Sequence, residues 1–286
     1  MRVLVLGGTG LMGIALIAEA KMRGFDVISA ARTNTDIELD LGIQHSLQNA
    51  LASVQPELVI NAAANVNLAA CERDPEEAYS INAKPAQVLA NWSQATARPF
   101  VQISTDHFFD VDGAAKHLET AEITICNEYA RTKYAAETYA LTAPKALVLR
   151  TNIAGHHPDG RGFSNWALHA LHERQPLTLF DDFFCSTIDT GDFAHGLFDL
   201  LERNATGLLH LASSEVSSKL QFVHALAAAA NIDLNWATTG SVTGLQPPRA
   251  RSLGLDVSKA EVILGRSLPG LEIVAERIVN QWRACQ

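Results

Sequence analysis

Short, uninterrupted apolar runs alternate with stretches of helical periodicity through the first half of the chain. Val3–Leu6, Val27–Ala30, Leu58–Asn61, Phe100–Ser104 and Ala146–Arg150 have the length and continuity of strands covered on both faces. Between them, apolar positions recur at helical spacing over Leu11–Arg23, Gln44–Val54, Glu76–Ala97 and Asn127–Thr142. Asp74-Pro75, followed by Glu76 and Glu77, is the start signal of the third of these helices. Such alternation predicts an α/β chain, with a doubly wound parallel sheet, right-handed crossovers and helices on both faces. Past Arg150 the rhythm loosens. Residues 156–162 and Gln246-Pro247-Pro248 read as loops, and Phe163–Arg174, Thr190–Arg203, Ser218–Ala230 and Leu271–Trp282 as helices. Leu177–Phe180 and Leu208–Leu211 read as strands. The expected division is a larger portion over residues 1–150 and a smaller lobe over 151–286 that shares part of the sheet.

Composition agrees with a large buried core. Of 286 residues, 48% are hydrophobic and 19% charged, which excludes an intrinsically disordered chain. There are 22 Lys+Arg against 31 Asp+Glu, a net charge of −9, and no basic run. A nucleic-acid partner is therefore not expected, since its affinity would rest on phosphate neutralisation. Cys71, Cys126, Cys185 and Cys285 are scattered, which reads as reduced thiols and not as a disulfide framework or zinc site. Residues 1–20 imitate a signal peptide, but Gly7, Gly8, Gly10 and Gly13 interrupt the apolar stretch. No later window offers the ~20 apolar residues of a membrane span. The expectation is a cytoplasmic protein without a membrane partner; a homodimer stays open.

Those glycines carry the first chemistry. Gly7-Gly8-Thr9-Gly10-Leu11-Met12-Gly13 joins the first strand to the first helix. Gly7 suits a tight turn, Gly10 lets a pyrophosphate approach the backbone, and Gly13 permits close packing of helix on strand. The helix N-terminus adds unpaired N–H groups for the diphosphate. The first portion is accordingly read as a Rossmann-type dinucleotide-binding unit. At the end of the second strand, where an acid would accept from the ribose of NAD, stands Arg32. An arginine there suits a 2′-phosphate, so NADP(H) is favoured, with NAD(H) open if Asp36 or Asp40 folds back.

Further along, Ser104-Thr105-Asp106 ends a strand at the carboxyl edge of the sheet, where open α/β folds place their ligands. Tyr129 and Lys133, at i and i+4, share one face of the following helix. An adjacent ammonium lowers the pKa of a phenol and makes it a better proton donor near neutrality. Thr105 is placed to hold a substrate oxygen while Tyr129 passes it a proton. Arg249 and Arg251 are the second lobe's candidates for a substrate diphosphate. His169 and His172 share a helix face without a third ligand and read as surface histidines; no metal is expected. Trp166 and Trp282 read as packing residues, and Asp181-Asp182-Phe183-Phe184 as a loop with aromatic contacts or a piece of core.

Together these segments resemble the extended short-chain dehydrogenase/reductase superfamily, and within it the dTDP-4-dehydrorhamnose reductase family. The resemblance is carried by Val3–Gly13, Asn61–Ala64, Ala78–Asn82, Ser104–Asp106, Asn127–Lys133 and Leu149–Thr151, with a weaker echo over Arg249–Asp256. It implies NAD(P)H-dependent reduction of a 4-keto sugar on a nucleoside diphosphate, with hydride delivered to C4 and a proton from Tyr129. It further implies that Lys133 holds the nicotinamide ribose. Gly10, Leu11, Met12, Asp40, Leu41, Ala62, Ala63 and Ala64 would line the cofactor, and Thr105 and Asp106 would touch the substrate. The smaller lobe would bind substrate, the site lying between it and the larger portion. The chain departs from the family in three places. His107 replaces the usual Tyr, Ile153 after Asn152 occupies the place of a substrate-facing Trp, and Ala250 replaces a Pro after Arg249. Three rivals share the scaffold. A 4,6-dehydratase wants a Glu where His107 stands, an epimerase–reductase wants a Cys–His pair, and an idle regulatory subunit would not need Thr105, Tyr129 and Lys133.

Overall fold

The computed structural model describes residues 1–110 and 113–285. In chain order the first elements are β1 (Arg2–Leu6), α1 (Leu11–Met22), β2 (Asp26–Ala31), β3 (Ile37–Glu38), α2 (Ser46–Val54) and β4 (Leu58–Asn61). Next come α3 (Leu68–Arg73), α4 (Pro75–Asn82), α5 (Lys84–Thr96), β5 (Phe100–Ile103), α6 (Glu128–Ala140) and β6 (Ala146–Arg150). Then follow β7 (Asn152–Ala154), α7 (Phe163–His172), β8 (Thr178–Phe180), β9 (Phe184–Cys185), β10 (Thr187–Asp189), α8 (Thr190–Glu202) and β11 (Gly207–His210). The chain closes with β12 (Ser217–Ser218), α9 (Lys219–Ala230), β13 (Thr238–Gly240), β14 (Ser252–Leu253), α10 (Ser258–Leu264) and α11 (Leu271–Arg283).

Two compact units are interleaved along the chain. The first comprises residues 1–105, 125–150 and 194–209; the second comprises 106–124, 151–193 and 210–286. The first unit is built on a seven-stranded sheet of order β11-β6-β5-β4-β1-β2-β3, in which the pairings from β3 through β6 are parallel. Every residue of β4, β5 and β6 is buried, as expected of strands covered on both faces. The order reverses between β1 and β4, which opens a crevice at the carboxyl ends of these strands. Leu4, Leu6, Val59, Phe100 and Val148 of the sheet pack with Leu47 and Leu51 of α2 and Leu89 of α5.

In the second unit, short strands pair in threes and twos: β12-β9-β14, β10-β7 and β13-β8. Its core joins Leu168 and Leu171 of α7 to Phe222, Val223 and Leu226 of α9 and Val274, Ile278 and Val279 of α11. Trp282 packs against this cluster, but Trp166 is 47% exposed and only leans on the Phe163 ring, contrary to its expected packing role. Phe183 is buried and Phe184 half-buried, while Asp182 accepts from Ser241 and from the Val242 N–H.

The expected helix over 76–97 is two helices. Pro85 has no N–H and its ring crowds the carbonyl four residues back, so α4 stops at Asn82 and α5 starts afresh at Lys84. Asp74 does open α4, accepting from the Glu77 N–H at 2.9 Å. The six-residue α3, capped by Asn67, and the two- and three-residue strands are too short to leave a periodic trace.

Candidate functional site

The glycine turn closes against the end of β4. Gly7 has φ +81°, and a Cβ there would lie 2.8 Å from the Ala63 nitrogen and 2.9 Å from the Ala62 carbonyl carbon. Only glycine satisfies both conditions. The expected cofactor-lining segments Gly7–Gly13 and Ala62–Ala64 are thereby brought into contact. Asn61 supports the second of them, donating to Gln102 Oε1 at 2.8 Å and accepting from the Ala63 N–H at 3.3 Å. Gly13 packs its helical turn on the backbone of Gly7 and Gly8, with Gly8 Cα 2.8 Å from where its Cβ would stand. The close approach is therefore of helix on turn, where helix on strand was expected.

Gly10 differs from its neighbours. It is the N-cap of α1, with no side-chain cap bond, and a Cβ added to it would meet only the Gly7 carbonyl oxygen at 3.2 Å. That contact is tight, and the space a missing Cβ keeps open lies at a helix end with unpaired N–H groups. That is the fit a dinucleotide pyrophosphate needs. Leu11 is half-buried and Met12 buried in this first turn.

Arg32 follows β2 directly and is exposed, with no ion pair among the described residues. Asp36 folds back onto β2, where its carboxylate accepts from the Ser29 hydroxyl at 2.6 Å and from the Ser29 N–H at 2.8 Å. Those bonds hold it below the usual carboxylate range. Asp40 is exposed and accepts from the Gly42 N–H, while Leu41 packs on the core cluster.

Thr105, Tyr129 and Lys133 all belong to the first unit and are all buried. The strand end that carries Thr105 is fastened to α6 at two points. Lys133 Nζ donates to the Ile103 carbonyl at 2.7 Å, and Ser104 Oγ donates to Glu137 Oε1 at 2.6 Å. Glu137 in turn accepts from Arg150 Nε and Nη2 at 2.9 and 2.8 Å, forming a buried ion pair. Tyr129, Lys133 and Glu137 therefore form one line at i, i+4 and i+8 on the helix face that meets the sheet. Cys71 of α3 and Ala78 of α4 pack around Tyr129, and Asn127 caps α6 by accepting from the Ala130 N–H. Sequence inspection missed Glu137 although its spacing from Lys133 pointed to it. Cys71 carried no such signal.

Burial pushes the Lys133 ammonium down to about 8, with the Glu137 carboxylate acting in the opposite sense. Since folding lowers this pKa, the unfolded chain binds more protons between pH 8 and about 10.5. This group therefore makes stability rise with pH across that window. The stability of the wild type relative to Lys133→Met should improve by roughly 2–3 kcal/mol between pH 7.5 and 10 in urea titrations. A pH-independent difference between the two proteins would show that the site does not desolvate the ammonium.

In the second unit, Asp106 is buried and its Oδ2 accepts from Asn152 Nδ2 at 2.8 Å. His107 Nε2 lies 3.9 Å from Asp106 Oδ1. Burial, followed by the nearby charges of Lys219 and Arg249, pushes the His107 imidazole down to about 4. Arg249 is exposed and Ile153 half-buried; Arg251 donates its backbone N–H to Asp110. His169 pairs with Glu173 at 3.3 Å and His172 meets the edge of Trp282. Among the described residues, no group of three or more His, Cys, Asp or Glu is arranged to hold a metal. No described helix is long and apolar enough to cross a membrane.

The family described as the RmlD substrate binding domain matches residues 1–281. The dTDP-4-dehydrorhamnose reductase of Escherichia coli strain K12 is 26% identical, with 98% of each chain covered. The spore coat polysaccharide biosynthesis protein SpsK of Bacillus subtilis is 27% identical, over 79% of this chain and 78% of its own. Among solved structures, the Bacillus anthracis dTDP-4-dehydrorhamnose reductase in complex with NADP superposes with a TM-score of 0.88. It is 23% identical and covers 98% of this chain and 99% of its own.

Proposed function

The chain belongs to the RmlD substrate binding domain family and is an NAD(P)-dependent oxidoreductase; on that premise we propose that it reduces the 4-keto group of a nucleoside-diphosphate sugar with NADPH. The observation that carries this reading is the double fastening of the Thr105 strand end to the helix bearing Tyr129 and Lys133. It supports a site in which the hydroxyls of Thr105 and Tyr129 converge on one carbonyl oxygen. NADPH, when bound, supplies the hydride. Tyr129 donates its phenolic proton to the oxygen that gains charge, and Thr105 donates a hydrogen bond that orients it. Lys133 keeps positive charge on the helix face that carries the phenol and would hold the nicotinamide ribose. Gly10 and the start of α1 would hold the pyrophosphate, with Leu11, Met12, Ala62, Ala63 and Ala64 lining the cofactor. The substrate-binding residues are proposed to include Asp106, Asn152, Ile153 and Arg249.

A dehydratase reading fares worse. Its chemistry wants a glutamate next to the Thr-Asp pair, and His107 stands in that place. The direct test follows NADPH oxidation with dTDP-4-dehydrorhamnose and a panel of other nucleotide-linked 4-keto sugars. Turnover of at least one supports the reading. NADPH binding without turnover of any would favour an idle subunit, and absence of binding would remove the cofactor assignment.

Preference for NADPH is assigned to Arg32, because it is exposed at the end of β2 while the nearby Asp36 is already engaged by Ser29. Arg32→Ala should raise KM for NADPH by about tenfold and leave KM for NADH within twofold, the loss of one charge-assisted contact. Equal effects on both cofactors would refute the assignment to the 2′-phosphate.

A further inference from the structure

Asn152 opens β7 and pairs in parallel register with Thr187 of β10. Side chains at paired positions of a ladder leave the same face, which sets the two within reach of each other. The Thr187 hydroxyl donates to Asn152 Oδ1 at 2.8 Å, and Asn152 Nδ2 donates to Asp106 Oδ2 at 2.8 Å. Cys185 Sγ lies 3.2 Å from Thr187 Oγ1. A hydroxyl has one proton, and that of Thr187 is directed at Asn152, so the Cys185 thiol is the donor to Thr187. The relay thus has one direction, from thiol to hydroxyl to amide to carboxylate. Cys185, Thr187 and Asp106 are all buried, so breaking a link leaves a polar group without water to replace it. A flipped Asn152 amide would set its carbonyl against the Asp106 carboxylate, acceptor against acceptor. Thr187 prevents the flip.

Asn152 is therefore engaged by the protein at both ends of its amide, which points to action through Asp106 in preference to direct contact with a ligand. Resting on the function proposed above, we infer that Asn152 is a positioning residue. It holds the Asp106 carboxylate as an acceptor for a hydroxyl of the substrate sugar, and Thr187 orients the Asn152 amide. The recognised group is an O–H donor on the sugar ring, so the relay makes the site discriminate hydroxylated from deoxygenated sugars at the carbon that Asp106 meets.

The test uses dTDP-4-dehydrorhamnose and NADPH with four variants of the full chain. Asn152→Ala and the near-isosteric Thr187→Val should each raise KM for the sugar nucleotide about tenfold and lower Tm by a few degrees, with KM for NADPH close to wild type. Thr187→Ser, which keeps the hydroxyl, should recover most of the loss. A purely structural role would instead affect both KM values alike, in step with the loss of Tm. The inference is overturned if Asn152→Ala and Thr187→Val stay within twofold of wild type while Tyr129→Phe is inactive. It falls together with the functional reading if the wild type oxidises no NADPH with any nucleotide-linked keto sugar.

Discussion

Tyr129→Phe should lower kcat for reduction of the keto sugar by about 10²–10⁴-fold, the range contributed by a positioned proton donor. The substitution removes one oxygen and leaves the ring packed against Cys71 and Ala78. NADPH affinity should remain within about twofold and Tm within a few degrees. The loss should appear equally in kcat and in kcat/KM, because the proton transfer is made only in the transition state. Stopped-flow measurement of NADPH oxidation with saturating sugar nucleotide separates this step from product release. A variant with wild-type single-turnover rates would remove Tyr129 as the donor and move attention to Thr105.

The second large effect concerns stability. Glu137→Ala should destabilise the protein by about 3–5 kcal/mol, because it leaves the buried Arg150 guanidinium without its countercharge. The same substitution deprives the Ser104 hydroxyl of its acceptor and releases one of the two ties between Thr105 and α6. Glu137→Gln keeps an acceptor for Ser104 but not the charge, and should fall between the two. It should also move the Lys133 ammonium further below 8, since the Glu137 carboxylate is what holds that pKa up. Replacing both members of the pair, as in Glu137→Leu with Arg150→Met, should recover much of the stability. A chemical-denaturation cycle over the wild type, Glu137→Leu, Arg150→Met and the double variant measures the coupling, and near-additive effects would refute the pairing as the source of the loss.

Which parts of this molecule could be read along the chain follows from how local their causes are. The strands β4 and β6 coincide with their expected ranges because a run buried on both faces is apolar over nearly its whole length, up to the closing Asn61 and Arg150. The glycine turn is equally local, since a positive φ and a backbone contact at Gly7 leave no alternative residue. The break between α4 and α5 had a local cause as well, Pro85, but the apolar spacing on either side of it concealed the interruption. By contrast, β7, β9, β10, β12 and β14 contain two or three residues each, and such strands exist only because distant partners supply their hydrogen bonds.

The same distinction divides the candidate site. By itself the sequence determined the α/β alternation, the glycine turn at the first helix and the single helix face shared by Tyr129 and Lys133. Each depends on residues within a few positions of one another, so spacing is sufficient. Only the tertiary structure decided that Ser104, Glu137 and Arg150 form one buried network, that Cys71 and Ala78 enclose Tyr129, and that Thr187 orients Asn152 toward Asp106. Each of these joins segments far apart in the chain. Burial then strengthens their electrostatics and makes an unmet partner costly, and no local pattern along the chain encodes which distant group will meet the need.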